Sequence, residues 1–178
     1  VFRGSFDRHA AQQVAGCPLP RLGGLMDKSL LRSTRHLDGS LTYDLHPLIR
    51  QYAADKLVQN AEEAGQVQQR HCDWCAGLAQ QAAGALQSAQ QPQALRSLAE
   101  QYDDLSLAWN WALQHRQTQH LLQLGGALVP FWWRRGRSFE GVQQLAPVLA
   151  AWPEAGPLRA QLCLWQAQLF SALDRYSD

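Results

Sequence analysis

One histidine stands where the pattern of a strand changes into the pattern of a helix. His46 follows residues 41–45, in which Leu41, Tyr43 and Leu45 alternate with polar residues as in a half-buried strand. After His46, apolar residues recur at helical spacing along one face, as far as Leu57. An imidazole N–H at a helix start, beside unpaired backbone N–H groups, can donate to a phosphate oxygen. His46 is therefore a candidate anion contact or, alternatively, a simple helix cap.

Two cysteines have the spacing of a redox pair or of half a zinc site. Cys72 and Cys75 are separated by Asp73 and Trp74, and His71 comes directly before them. A closed zinc site needs four ligands, and the sequence offers no second pair to complete one. Both thiols fall on the apolar stripe of a helix, where cysteine behaves as a small hydrophobic residue. We expect core packing here and predict no metal site.

Catalytic patterns are missing from the sequence. Asp103 and Asp104 are adjacent, but neighbouring helical residues point about 100° apart, so we expect solvated or helix-pairing charges rather than an acid–base pair. The chain contains no G-x-x-x-x-G-K-[ST] loop and no G-x-S-x-G elbow. We therefore predict that this chain is not an enzyme by itself and holds no cofactor alone.

Aromatic and basic side chains are concentrated between the residues numbered 131 and 137. Aromatic rings beside arginines can anchor proteins, peptides or stacked ligands. Half of these rings must nevertheless face a core. The sequence leaves two interpretations open, ordinary repeat packing or a partner or ligand surface. The residues of that predicted surface are Trp132, Trp133, Arg134, Arg135 and Arg137.

The elements that position His46 are predicted to form a winged-helix domain over residues 1–64. One helix is predicted after Asp7 as its N-cap, and another from about Pro18 to Lys28. A β-prone run from Leu30 and the strand at 41–45 form a hairpin, with the dipeptide Asp38-Gly39 as its turn. The helix that starts at His46 is expected to end near Gly65.

The rest of the chain is predicted to be helical throughout. A helical linker region over residues 65–120 is expected to include one long helix from Gln93 to His115. Residues 121–178 suggest paired helices with the period of roughly 34 residues that tetratricopeptide (TPR) repeats have. In that register Gly141 takes the small position where two helices cross. The last repeat stops short, so we expect the native protein to continue. The predicted fold class is mainly α, a small winged-helix domain followed by an antiparallel TPR-like array.

Charge and composition exclude several classes of protein. The net charge is +1, with basic residues spread through both halves, so no electrostatic footprint for nucleic acid dominates. No run of about 18 apolar residues predicts a membrane span. The four cysteines do not form a disulfide framework and suit a reducing compartment. We expect a cytoplasmic protein without a membrane partner.

A winged helix also raises the possibility of DNA binding. The helix that would enter the groove offers only Arg21 and Lys28, and Arg32 and Arg35 on the wing could contact phosphates. Direct readout needs more polar side chains facing the bases. The alternative is therefore a transcription factor whose winged helix binds DNA while the helices dimerise or sense a ligand.

Three segments carry a resemblance to a known family: VFRGSFDRHAAQQVA, GLMDKSLLR and YDLHPLIRQYAADKL. They resemble the winged-helix segment of bacterial STAND regulators, which are signal-transduction ATPases with an NB-ARC-type nucleotide-binding module. In that family a Met-His-Asp-like motif followed by Leu begins this last helix. Here the motif reads Leu45-His46-Pro47-Leu48, with Pro47 replacing the acidic residue. The segments HCDWCAGLAQQA, YDDLSLAWNWAL and FWWRRGRSFEGVQQLAPVL resemble the linker and first repeats that follow in such regulators.

The resemblance implies a function for His46. It would contact the phosphates of ADP and lock the resting state, and ADP or ATP would be the cofactor of the full-length protein. The implied partners are an upstream nucleotide-binding module in the same chain and a protein or small-molecule signal on the helical repeats. Any contact of the full-length protein with DNA would be made by another domain.

Overall fold

The computed structural model describes residues 1–36 and 39–174 of the 178-residue chain. The chain is mainly helical, with a small three-stranded antiparallel sheet among the first helices and a packed helical array after it. This confirms the predicted fold class. No helix within the described ranges is long and apolar enough to cross a membrane. The elements are β1 (Phe6–Asp7), α1 (Arg8–Ala15), α2 (Leu19–Asp27), β2 (Leu31–Arg35), β3 (Leu41–Leu45), α3 (Pro47–Val58), α4 (Ala61–Ala85), α5 (Gln91–Glu100), α6 (Tyr102–Gln114), α7 (Thr118–Arg134), α8 (Ser138–Ala151) and α9 (Pro157–Asp174).

The predicted hairpin is confirmed, and a short strand that was not predicted joins it. β2 and β3 pair antiparallel, with Leu31 opposite Leu45. β1 pairs with the other edge of β3, with Phe6 opposite Tyr43, so the strand order is β1-β3-β2. A two-residue strand leaves no periodic pattern in a sequence, which explains why it was missed. Of the predicted turn dipeptide, Asp38 lies outside the described residues and Gly39 has a φ of 83°, a backbone conformation that favours glycine.

The two predicted short helices are present, α1 with its expected start and α2 with both of its expected ends. The Asp7 side chain accepts a hydrogen bond from the Ala10 backbone N–H at 2.7 Å, which makes it the N-cap of α1. α2 follows Pro18 and ends before Lys28, as predicted. Their apolar faces contribute to a small core, and the sheet contributes the rest. One buried cluster consists of Ala11, Leu22, Leu31 and Tyr43.

Two predicted helix boundaries are wrong. No helix ends at Gly65, because α3 ends at Val58 and α4 runs from Ala61 through Gly65. The Asn60 side chain accepts the Glu63 backbone N–H at 3.3 Å, which supplies a start signal for α4. A glycine inside a helix costs only about 1 kcal/mol, and a helix of this length offsets that. The predicted long helix over residues 93–115 is two helices, α5 and α6, which separate at Gln101 without a glycine or proline to signal the break.

The chain divides into two compact units. One contains residues Val1–Cys75 together with Gln101–Ala108, and the other contains Ala76–Glu100 together with the chain from Trp109 onward. The first unit holds the sheet and His46. The second holds the TPR-like helices α7, α8 and α9, which pack against one another.

Close helix crossings hold α7, α8 and α9 together at two glycines. A Cβ atom added to Gly141 would lie 2.7 Å from Leu169 Cδ1 and 2.9 Å from Trp132 Cε3. Gly141 is therefore the small crossing residue that the repeat register predicts. A Cβ added to Gly125 would lie 2.3 Å from the Trp165 ring, which is closer than carbon atoms can approach without a shift. Only glycine lets these helices reach their observed separation.

Adjacent glycines in α7 give a matched test of this packing. We expect Gly125→Ala to lower the free energy of unfolding by about 1–3 kcal/mol, because the Trp165 ring must move. Gly126→Ala should instead raise it by about 0.5–1 kcal/mol, because its Cβ has room, with Ala83 Cβ at 3.9 Å, and a helical glycine is replaced. Urea denaturation of both variants measures the difference. Equal effects of the two substitutions would contradict the crossing.

Candidate functional site

The junction between β3 and α3 positions His46. β3 ends at Leu45, and Pro47 occupies the first helical position, where its fixed φ and missing N–H suit the start of a helix. His46 is the N-cap residue, with extended backbone angles (φ −55°, ψ 139°), and its ring is exposed. Its Nδ1 atom accepts the Leu48 backbone N–H at 3.3 Å.

The cap leaves the other ring nitrogen as a donor. A neutral imidazole that accepts through Nδ1 carries its proton on Nε2. The exposed Nε2–H lies at the N-terminal end of a helix, where the helix dipole favours an anion. The two alternatives for His46 are therefore compatible, since the residue can cap α3 and still offer one hydrogen bond outward.

Arg50 braces the chain on both sides of His46. Its Nη2 atom lies 2.5 Å from Asp44 Oδ1 and 3.4 Å from the Leu45 carbonyl oxygen. These contacts connect α3 to the end of β3. Because His46 lies between Leu45 and Arg50 in the chain, they restrict its position. Sequence reasoning missed Arg50 as a bracing residue, although its place one turn after His46 was a usable signal.

The apolar residues of α3 are largely uncovered. Throughout α3, which the structure describes completely, no residue is buried. Leu48 is 74% exposed and Tyr52 is 62% exposed, one turn apart on the same side of the helix. The predicted apolar face therefore exists, and it is packed within the chain only in part, since Leu57 lies against a buried cluster that includes Phe2. Leu48 and Tyr52 thus form a small exposed apolar surface beside His46.

The four basic residues of the DNA-binding alternative are all exposed. Arg21 and Lys28 belong to α2 and its C-cap, and Arg32 and Arg35 belong to β2. α2 and β2 pack against each other, so the four charges sit on one small substructure. The arrangement would suit phosphate contacts.

The aromatic and basic cluster separates into core and surface. Trp132 is 1% exposed and meets the Trp109 ring edge-on, with 6.1 Å between ring centroids. Trp132 thus belongs to the core, which corrects its place in the predicted partner surface. Trp133 is 38% exposed, and the Arg134 guanidinium lies 5.1 Å from its ring centroid. Phe139, which the sequence did not single out, is 64% exposed at the start of α8.

The other two arginines of the predicted surface make contacts within the chain. Both oxygens of Glu140 bind Arg137, at 2.5 Å from Nε and 2.9 Å from Nη2. Arg135 donates from Nη2 to the Leu95 carbonyl oxygen at 3.2 Å. Their side chains are therefore held in place, and the most available part of the predicted surface is Trp133 with Arg134.

Sequence reasoning did not foresee that one of the two adjacent aspartates is buried beside a histidine. Asp104 was expected to be solvated or to pair helices, and it pairs two of them, because its Oδ1 on α6 lies 3.0 Å from Nε2 of His71 on α4. It is buried and not solvated. It also accepts the backbone N–H groups of Arg3 at 2.7 Å and Gly4 at 3.0 Å. Burial by itself raises the pKa of Asp104, but the hydrogen bonds from His71, Arg3 and Gly4 outweigh it and lower the pKa below its ordinary value. Asp104 is thus an ionised anchor for the N-terminal segment.

The cysteine pair packs in the core, as predicted. Cys72 and Cys75 are buried and reduced. Burial, helped by Asp73, raises the pKa of Cys72 to about 12, and burial likewise raises the pKa of Cys75. Across the described residues, no group of three or more histidine, cysteine or acidic side chains is placed to hold a metal ion.

These positions predict a clear order of thiol reactivity. Exposed Cys163 should react first with a disulfide reagent at pH 8, because it is accessible. Cys72 should react roughly a thousandfold more slowly, because a pKa of about 12 leaves few of its thiols ionised at pH 8 and because its side chain is buried. Mass spectrometry of labelled peptides identifies each site, and Cys163→Ser should remove the fast phase. Fast labelling of Cys72 in the folded chain would contradict the assignment.

Comparison of the chain with protein-family models, with curated proteins and with solved structures gives no match.

Proposed function

We propose that this chain is the regulatory part of a cytoplasmic STAND-type signal-transduction ATPase. The observation that carries the proposal is an exposed histidine, His46, which caps α3 and offers a free donor beside uncovered Leu48 and Tyr52. A donor at a helix N-terminus suits a phosphate, and an apolar helix face suits a protein domain. Both features lie at the start of α3, so one helix would contact both the phosphate and the domain that encloses the nucleotide.

The proposed mechanism is a two-state switch. In the closed state, a phosphate oxygen of ADP accepts the Nε2–H of His46, while the nucleotide-binding module of the same protein covers Leu48 and Tyr52. Loss of ADP removes one of the ties between the domains. A protein or small-molecule signal that binds the helical array more tightly in the open state shifts the equilibrium towards it. Hydrolysis of ATP belongs to the nucleotide-binding module, and this chain is not itself an enzyme.

The exchange of bound ADP tests the role of His46. In the protein that includes the nucleotide-binding module, His46→Ala should release a fluorescent ADP analogue roughly ten to a hundred times faster. That range corresponds to the loss of one hydrogen bond to a charged group. His36→Ala is the matched control, because His36 is also exposed and bonds Thr42 at 2.9 Å on the hairpin. Equal release rates in wild type and His46→Ala would contradict the proposal.

A second candidate function is direct DNA binding. The observation in its favour is the exposure of Arg21, Lys28, Arg32 and Arg35 on α2 and the wing. This candidate predicts that the chain alone binds duplex DNA, that binding weakens steeply as salt rises, and that Arg32→Ala with Arg35→Ala reduces the salt slope by about 2. The switch proposal requires no such binding.

A further inference from the structure

Two exposed aromatic side chains flank the turn between α7 and α8. Trp133 lies near the end of α7, and Phe139 lies near the start of α8. Large apolar side chains that are grouped at a surface are typical of contact sites, whereas scattered ones are ordinary. Both residues belong to the second compact unit, which contains the helical array.

The turn holds the two aromatic residues in fixed positions. The backbone N–H of Gly136 donates to the Trp133 carbonyl oxygen at 3.2 Å, and that of Arg137 donates to the Trp132 carbonyl oxygen at 2.7 Å. Gly136 has a φ of 67°, a left-handed conformation that glycine adopts without strain. A surface that is already ordered loses little conformational entropy when a partner binds to it.

The same turn carries an excess of positive charge. α7, α8 and the turn between them contain three arginines and one acidic residue, Glu140. Glu140 is paired with Arg137, and Arg135 donates to a neutral carbonyl oxygen. Arg134 contacts the Trp133 ring and makes no ion pair within the part of the chain that the structure describes. The positive charges of Arg134 and Arg135 are therefore not compensated locally.

These features together indicate the chemistry of a partner. Carboxylates complement the two uncompensated arginines, because a guanidinium can bind a carboxylate through two parallel hydrogen bonds. An aromatic ring can pack against Trp133 and Phe139. Phe139 is 64% exposed, so the surface is open, whereas small molecules bind in concave sites that bury most of their surface. A peptide segment of a protein fits this surface better.

We propose that the turn between α7 and α8 binds an acidic peptide segment that carries an aromatic residue. The carboxylates of the peptide pair with Arg134 and Arg135, and its aromatic ring covers Trp133 and Phe139. As the place where a protein signal reaches the helical array, this surface rests on the proposed function. The binding of the peptide itself does not depend on the switch.

Titration of the chain with a short peptide tests this surface without nucleotide. The probe is an acetylated and amidated peptide of sequence EEFEE. The readout is the indole N–H signal of Trp133 in ¹⁵N NMR spectra, assigned by its loss in Trp133→Phe. We expect a saturable shift of this signal, with an affinity that falls as salt is added, because salt screens the charge pairing. The peptide EEAEE, which lacks the aromatic ring, should bind about tenfold more weakly, and KKFKK should not bind.

Two pairs of variants separate this surface from general effects of charge and of apolar area. Arg134→Gln should weaken EEFEE binding about tenfold, because a charge-assisted hydrogen bond is lost. Arg8→Gln removes the same charge from an exposed residue of α1 and should bind EEFEE like wild type. Phe139→Ala should also weaken binding, whereas Leu164→Ala, which shortens a similarly exposed side chain on α9, should not. Circular dichroism reports the fold of each variant.

Three results would overturn the proposal. They are the absence of a saturable Trp133 shift with EEFEE, an equal shift with KKFKK, and unchanged EEFEE binding in folded Arg134→Gln. None of them concerns His46, whose contact with ADP is tested separately by the release rate of the nucleotide.

Discussion

Replacing Trp132 with alanine is expected to lower the free energy of unfolding by about 3–5 kcal/mol. The Trp132 ring is buried, meets Trp109 edge-on, and packs where α8 crosses at Gly141. Alanine would leave a large cavity between α7 and its neighbours, and it would remove the aromatic pair as well. Urea denaturation followed by fluorescence or circular dichroism measures the change.

The adjacent residue provides the control. Trp133 is on the partly exposed side of the same helix, so Trp133→Ala should change the free energy of unfolding by no more than about 1 kcal/mol. The pair also tests the division of the aromatic cluster into core and surface. If Trp133→Ala destabilised the chain as much as Trp132→Ala, the assignment of Trp132 alone to the core would be wrong.

Removal of the Asp104 carboxylate should also be costly. Asp104→Ala is expected to lower the free energy of unfolding by about 3–5 kcal/mol, because it deprives buried His71 and two backbone N–H groups of their acceptor. The adjacent Asp103 is exposed, so Asp103→Ala should have an effect within about 0.5 kcal/mol. Loss of stability of similar size in both variants would show that Asp104 is not a buried anchor.

The same carboxylate predicts how stability depends on pH. Its pKa in the folded chain lies below the ordinary value of 3.8, so the unfolded chain binds its proton first as pH falls. The stabilisation from Asp104 is thus complete above pH 3.8 and is lost as pH falls through the lower folded pKa. The difference in unfolding free energy between wild type and Asp104→Ala should therefore shrink below that pH. A constant difference down to pH 2 would contradict the lowered pKa.

Local signals in the sequence were sufficient to predict most of the fold. Asp7 as a cap, Pro18 before a helix and the alternation in residues 41–45 each depend on a few neighbouring residues, and each appears in the structure. The errors concern helix boundaries, which depend on tertiary packing and not only on neighbouring residues. Gly65 lies inside a long helix, and the break at Gln101 has no glycine or proline.

Long-range contacts explain what sequence reasoning missed at the sites. Asp104 accepts bonds from backbone groups of Arg3 and Gly4, about a hundred residues away, and no local pattern announces such a pair. Trp132 and Trp133 have the same residue type and adjoin each other, so only the orientation of α7 shows which one is buried. The place of His46 at the start of α3 could be predicted because its signal, a strand followed by a capped helix, is local.

The nucleotide content of the purified native protein tests the proposed switch most directly. Denaturation and chromatography of the protein that carries both the nucleotide-binding module and this chain should release ADP in stoichiometric amount from wild type, and much less from His46→Ala. Wild-type protein that contains no bound nucleotide, or His46→Ala protein that retains as much ADP as wild type, would contradict the claim that His46 holds ADP in the closed state.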